Sequence, residues 1–176
     1  MTHRDEASGP PLSFGVRRLH ALQMAHRHRL ERVQLVRAPR ARVFEFFSEA
    51  SNLERLTPPF VSFRILTPTP IDMRQGQHIQ YRIGMGGIAM GWLTEISVWE
   101  PNVRFVDTQL RGPYRYWHHL HEFRDAEADT EIRDVVDYEL PLGPLGSLVH
   151  ALVVRRTLDR IFEFRSAAVA SAFSNV

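Results

Sequence analysis

Cysteine is absent from this chain of 176 residues, which excludes disulfides and thiolate chemistry together. Lysine is absent as well: all 22 basic residues are arginine, a mark of genome composition rather than of nucleic-acid binding. A long apolar run is also missing. The longest uncharged stretch, Leu140 to Val154, has 15 residues with proline and glycine inside it, and a membrane span needs about 20. The N-terminus has no continuous apolar core of a secretory signal, so a cytoplasmic protein is the expectation. Excess charge of one sign is confined to one end. Residues 1–30 hold five arginines against Asp5 and Glu6, whereas the remainder holds 17 arginines against 18 acids. The body of the chain therefore offers no basic footprint for nucleic acid.

What is present is enough for one sizeable core, since 44% of the residues are hydrophobic and 24% charged. Two parts are expected. Residues 1–30 read as a basic extension, disordered or loosely docked, in which Leu19, Leu22 and Met24 mark a short amphipathic stretch. Its histidines, His20, His26 and His28, are tail composition rather than metal ligands. Residues 31–176 read as the folded domain.

In that domain, ERVQLVR alternates as a strand with Val33 and Leu35 inward. Pro39 then opens a helix carrying Val43, Phe46 and Phe47 on one face, and ASNLERL makes a second short helix. Five further strand patterns follow up to Arg124. Gly86-Gly87, Pro101-Asn102 and Arg111-Gly112-Pro113 mark the turns between the later ones. The pattern TEIRDVVDYEL closes the series, and a long helix runs from about Gly143 to Phe173. Short turns between successive strands imply an antiparallel meander with that helix across its apolar face. The helix has two stripes. Leu145, Leu148, Val149 and Leu152 lie on one side, and Val154, Leu158, Ile161 and Phe162 lie nearly opposite. A straight helix cannot bury both against one sheet, so the first arc is expected at a cavity mouth, as a homodimer contact or on a membrane surface.

The segments PRARVFEFFSEASNLERLTPPF, WEPNVRFVDTQLRGPYRYWHHLHEF and YELPLGPLG resemble the START/Bet v 1/polyketide-cyclase superfamily, often called SRPBCC. They look most like its bacterial polyketide cyclase/dehydrase-type ligand-binding members. The resemblance covers about residues 31–170. It implies an α+β helix-grip fold: a curved antiparallel sheet of about seven strands gripping a long C-terminal helix, with two short helices after the first strand. It also implies a cavity for a hydrophobic or amphipathic small molecule. Superfamily members include lipid carriers, hormone receptors, cyclases and oxygenase subunits, so the fold does not choose among them.

Strand alternation assigns the cavity face. Trp117, His119, His121 and Phe123 point inward from one strand, and Ile132, Asp134, Val136 and Tyr138 from the next. In RFVDTQL the resemblance favours Phe105 inward, bringing Asp107 and Gln109 with it. Ile88, Met90, Trp92, Thr94, Ile96 and Val98 share the inner face of the longest strand. Leu158 and Phe162 face them from the helix. A four-residue hairpin loop over 126–129 sets His121 opposite Asp134, with His119 one pleat further and Asp107 across the other ladder. A buried acid needs such a partner. The cluster of His119, His121 and Asp134 supports three readings: a satisfied polar pair, a ligand-orienting group, or the acid–base pair of a cyclase or dehydratase. Metal is set aside, because a third ligand would have to be Asp107 or Asp134 and no second histidine-bearing strand is in view. No cofactor is implied. A protein-interaction module without catalysis is the remaining alternative.

Overall fold

The structure, a computed structural model, describes residues 27–141, 145 and 148–174. Most of the N-terminal extension thus lies outside the described residues. Strand β1 (Arg27–Val36) starts inside the expected extension. It is followed by α1 (Arg40–Ser48) and α2 (Asn52–Arg55), then β2 (Val61–Ile65), β3 (His78–Met85), β4 (Ile88–Glu100), β5 (Arg104–Arg111), β6 (Tyr116–Ala126) and β7 (Asp129–Glu139). A π-helical turn, His150–Val154, leads into α3 (Arg155–Ala172). The seven strands form one antiparallel sheet in the order β1-β7-β6-β5-β4-β3-β2. The two ends of the chain order come together because β1 pairs along the whole of β7, from Arg27 opposite Glu139 to Val36 opposite Thr130. This is the helix-grip arrangement.

Local chemistry explains the turns. Gly86 and Gly87, with φ of 58° and 84°, make the two-residue turn from β3 to β4, where both central residues need positive φ. Between β6 and β7 the turn is tighter than the four residues expected. Ala126 already pairs with Asp129, and Glu127 takes the left-handed conformation at φ 58°. The pairing beyond the turn is unchanged by this: His121 faces Asp134.

One core packs α1 and the C-terminal end of α3 against the sheet. Phe44, more deeply buried than the expected Phe46, meets Trp99, Phe105 and Phe123 at ring separations of 5.1, 6.1 and 5.3 Å. A second cluster, Leu30, Trp117, Val136, Tyr138, Leu158 and Phe162, joins the middle of α3 to β1, β6 and β7.

Three expectations are corrected. Val33 and Leu35 are on the outer face, 58% and 60% exposed, whereas Leu30 and Val36 are buried. The inward face of β1 includes Arg32 and Gln34 because it meets a polar stretch of α3. Arg32 pairs with Asp159, and the Gln34 amide donates to the Ser166 carbonyl at 2.8 Å. On β4 the register shifts between Ile96 and Val98. Such a bulge adds one residue and reverses the side-chain phase, so Trp99 rather than Val98 joins the core. Ile88, at the hairpin tip, is 67% exposed. The long helix, finally, is not continuous α-helix. The π-helical turn separates its two stripes, as an extra residue per turn rotates everything before it relative to α3.

Candidate ligand cavity and its histidine–aspartate cluster

Three adjacent strands place four ionisable side chains on the concave face of the sheet. His119 and His121 are two residues apart on β6 and therefore share a face. Their rings lie 3.8 Å apart between centroids. Asp107 on β5 sits opposite His119, and Asp134 on β7 sits opposite His121. Each imidazole is thereby held between the two carboxylates. Nδ1 of His119 is 3.3 Å from Asp107 Oδ2 and its Nε2 is 3.1 Å from Asp134 Oδ1. His121 is turned the other way, with Nε2 3.3 Å from Asp107 Oδ2 and Nδ1 2.6 Å from Asp134 Oδ1. That last contact is short but lies outside hydrogen-bonding geometry, so it is a close approach rather than a directed bond. The second oxygen of Asp107 accepts the Trp117 indole N–H at 3.3 Å.

His119, His121 and Asp134 are all buried, so charge here is costly unless paired. Burial opposes ionisation of both aspartates. Hydrogen bonds and attraction from the two histidines outweigh it for Asp107, and the charges of His121 and Arg165 help to do so for Asp134. Both carboxyls are held below the usual carboxylate range. The histidines diverge. Burial also opposes the charge on His119, but its bonds to Asp107 and Asp134 win, and its pKa is raised. For His121, burial and the charge of His119 prevail over the carboxylates, and its pKa is lowered. The two rings thus differ in how firmly they hold a proton.

The cluster forms part of the wall of a cavity of about 260 Å³ between the sheet, the α1–α2 segment and α3. Eight of the twelve residues expected at the site line it: Trp92, Phe105, Asp107, Trp117, His119 and His121 from the sheet, and Leu158 and Phe162 from α3. The other four have different surroundings. Gln109 is engaged by the β5–β6 turn, donating to the Tyr114 carbonyl at 2.6 Å and accepting the Tyr114 N–H at 3.3 Å. A Cβ on Gly112 would collide with that amide. Phe123 is packed in the first core cluster, and Tyr138 in the second. Burial pushes the Tyr138 hydroxyl up to about 12. Asp134 lies behind the histidines, within reach of both rings.

Arg165 was not among the expected residues. It lines the cavity from α3, with its guanidinium 5.3 Å from the Phe47 ring centre and 5.9 Å from that of Phe162. Its Nε is buried and has no hydrogen-bond partner among the described residues. The signal was available in the sequence: Arg165 follows Leu158, Ile161 and Phe162 at i+7, i+4 and i+3, so it shares their face of the helix. At the opposite end of the cavity, Val153 and Val154 of the π-helical turn contribute to the wall. Leu145, Leu148, Val149 and Leu152 are exposed beside them, each between 44% and 60%. No helix among the described residues is long and apolar enough to cross a membrane.

Comparison with known proteins agrees with this architecture. The profile of a family described as polyketide cyclase/dehydrase and lipid transport matches residues 36–164. No curated protein matches the chain. Among solved structures, the chain resembles a protein from Chromobacterium violaceum with a TM-score of 0.66 at 13% identity, over 85% of this chain and 99% of that one. It resembles the ZhuI aromatase/cyclase of Streptomyces sp. R1128 with a TM-score of 0.65 at 17% identity, over 85% and 94%. A START superfamily protein from Mycobacterium smegmatis aligns with a TM-score of 0.59 at 15% identity, over 84% and 97%. At such identities the structural likeness speaks for the fold alone, whereas the family match spans most of the chain: this protein is a member of the polyketide cyclase/dehydrase and lipid-transport family, with the SRPBCC helix-grip fold.

Proposed function

We propose that the protein binds a compact amphipathic small molecule in the cavity, its apolar body among the aromatic side chains and its polar group against the histidine–aspartate wall. The observation that carries this is the composition of one cavity. Trp92, Trp117, Phe105 and Phe162 supply apolar surface, while His119, His121 and Asp107 converge from neighbouring strands on the same space. A mostly apolar pocket with a few convergent polar groups is the usual form of a small-molecule site. The volume of about 260 Å³ lies near the lower end for such sites, roughly 300–1,000 Å³. It suits a few aromatic rings or a short acyl chain better than a long-chain lipid.

The test uses the full chain and 8-anilinonaphthalene-1-sulfonate as probe, with 2-naphthol as competitor. One saturable site is expected, displaced by 2-naphthol. Ile161→Trp, which fills the cavity from α3, should weaken it at least tenfold while the protein remains folded by circular dichroism. Probe binding unaffected by Ile161→Trp would reject the reading.

A second reading, acid–base chemistry of the cyclase or dehydratase kind, is favoured by one specific observation. His119 and His121 both face the cavity, and their pKa values are displaced in opposite directions. Paired groups with separated pKa values are how one site supplies both a proton donor and a proton acceptor. This reading requires that separation in solution, which the histidine titration described in the Discussion measures.

A further inference from the structure

The arrangement of the four side chains has a second consequence, independent of which organic ligand the cavity takes. Asp107 Oδ2 lies 3.3 Å from His119 Nδ1 and 3.3 Å from His121 Nε2. Charge-assisted hydrogen bonds are shorter, about 2.7–2.9 Å. Donors around an ion at about 2.0–2.2 Å, by contrast, stand roughly 3–3.6 Å from one another. All three donor atoms lie within 4.8 Å of each other, and all three residues line the cavity. The remaining ring nitrogens, His119 Nε2 and His121 Nδ1, both turn to Asp134 Oδ1, at 3.1 and 2.6 Å. Metal-binding histidines characteristically hydrogen-bond their second nitrogen to a carboxylate, which fixes the ring orientation. His119 does so through Nε2, and His121 Nδ1 lies against the same oxygen without a directed bond.

We infer that Asp107, His119 and His121 form a binding site for a divalent transition metal ion, with Asp134 orienting His119 from behind and lying against His121. Two nitrogens and one carboxylate suit zinc or iron(II) and disfavour the all-oxygen preferences of calcium and magnesium. Metal binding takes the place of ring protons; with both imidazoles then neutral, the four groups carry two negative charges, which a dication cancels in a buried place. Three protein donors leave coordination positions open on the cavity side. An oxygen of a bound ligand, whether hydroxyl, carbonyl or carboxylate, would occupy one. The sequence reading set metal aside because no second histidine-bearing strand was in view; the pairing of Asp107 with His119 across β5 and β6 supplies a carboxylate in that place.

Cobalt(II) is the probe, because its visible absorption bands report nitrogen and oxygen coordination directly. Untagged full-length protein is titrated with cobalt(II) chloride, followed by absorption and by calorimetry. One equivalent is expected, competed off by zinc. Asp107→Asn and His121→Gln should each weaken binding by at least a hundredfold, and Asp134→Asn by about 10–100-fold, the range found for orienting carboxylates. Circular dichroism checks that each variant is folded. The histidines near the N-terminus are a competing source of donors, so the double variant His26→Gln, His28→Gln is measured in parallel and should keep the bands. The inference is overturned if wild-type protein shows no cobalt bands. It is equally overturned if the bands survive Asp107→Asn in folded protein, or disappear in the His26, His28 variant. None of these outcomes bears on binding of 8-anilinonaphthalene-1-sulfonate by metal-free protein, so the site and the cavity stand or fall separately.

Discussion

The wall of the cavity and the exposed helical arc beside it, which we propose as its mouth, are built on opposite principles. On the wall, polar groups are buried or half-buried and each carboxylate contacts both imidazoles: Asp107, His119, His121 and Asp134 on three paired strands. At the mouth, apolar groups are exposed, with Leu145, Leu148, Leu152 and Val153 each more than half accessible. Neither region follows the simple rule of apolar inside and polar outside. The wall is fixed by a sheet whose register leaves each side chain one position. The mouth is carried by a helix whose hydrogen-bond pattern changes at His150–Val154. Substitutions should therefore act through stability on the wall and through access or assembly at the mouth.

The largest effect is expected from Asp134→Ala. It leaves His119 and His121, 4% and 2% exposed, without the carboxylate that contacts both rings. Removing one partner from a buried ionic group typically costs about 3–5 kcal/mol. Urea unfolding at neutral pH measures it. A loss below about 1 kcal/mol, the worth of an exposed pair, would show that water reaches the cluster and that the wall is not distinct from the surface.

How much of this was legible in the chain depends on which physical signal carried it. Strand alternation and the β6–β7 pairing are periodic and local, and they were sufficient to set His121 opposite Asp134 and His119 near Asp107. The error in the hairpin, a two-residue turn in place of four, did no harm because residues on either side paired symmetrically. Features that depend on a single inserted residue were not legible. The bulge near Ser97 and the π-helical turn involve no proline or glycine, only a one-residue change in backbone hydrogen bonding. The phase of β1 failed for another reason. Val33 and Leu35 looked like the core face by hydrophobicity, yet Arg32 and Gln34 have partners on α3, which lies far along the chain. Arg165 was overlooked because an arginine within a helix reads as solvated unless its face is counted.

A smaller effect on the wall is its pH dependence, and the signs can be worked out group by group. The raised pKa of His119 means that its contribution to stability is complete below the unfolded value of about 6.5. It is lost as pH rises through the folded value. His121 behaves oppositely, since its pKa is lowered: its contribution is present above about 6.5 and declines as pH falls towards the folded value. The two aspartates, both lowered, contribute above about 3.9 and fail only as pH falls through their depressed values. His119→Gln should thus remove the alkaline decline of stability. It should also raise the pKa of His121, because the charge of His119 is, after burial, the next cause of its depression. Urea midpoints across pH 6 to 10 and histidine resonances in NMR titrations provide the two readouts. An unchanged His121 titration would mean that the rings do not sense each other, and the acid–base reading would fall with it.

The smallest effect on stability is expected at the mouth, from Leu148→Asp combined with Leu152→Asp. Their exposures of 55% and 60% leave little packing to lose, and substitutions at such positions usually stay within about 0.5 kcal/mol each. What should change is function. Val153 and Val154 connect this exposed arc directly to the cavity wall, so a ligand entering beside the π-helical turn passes the leucines first. π-helical turns are frequent at functional sites, and here the turn brings Val153 and Val154 to the cavity wall. Charges on the arc would repel an apolar ligand, or would separate two copies that cover these leucines from each other. The uptake rate of 8-anilinonaphthalene-1-sulfonate by stopped flow distinguishes the first effect. The concentration dependence of mass in analytical ultracentrifugation distinguishes the second. Wild-type behaviour in both would leave the arc as exposed surface with no part in entry or assembly. A loss of several kcal/mol would instead place these leucines in a core, and the contrast between wall and mouth would disappear.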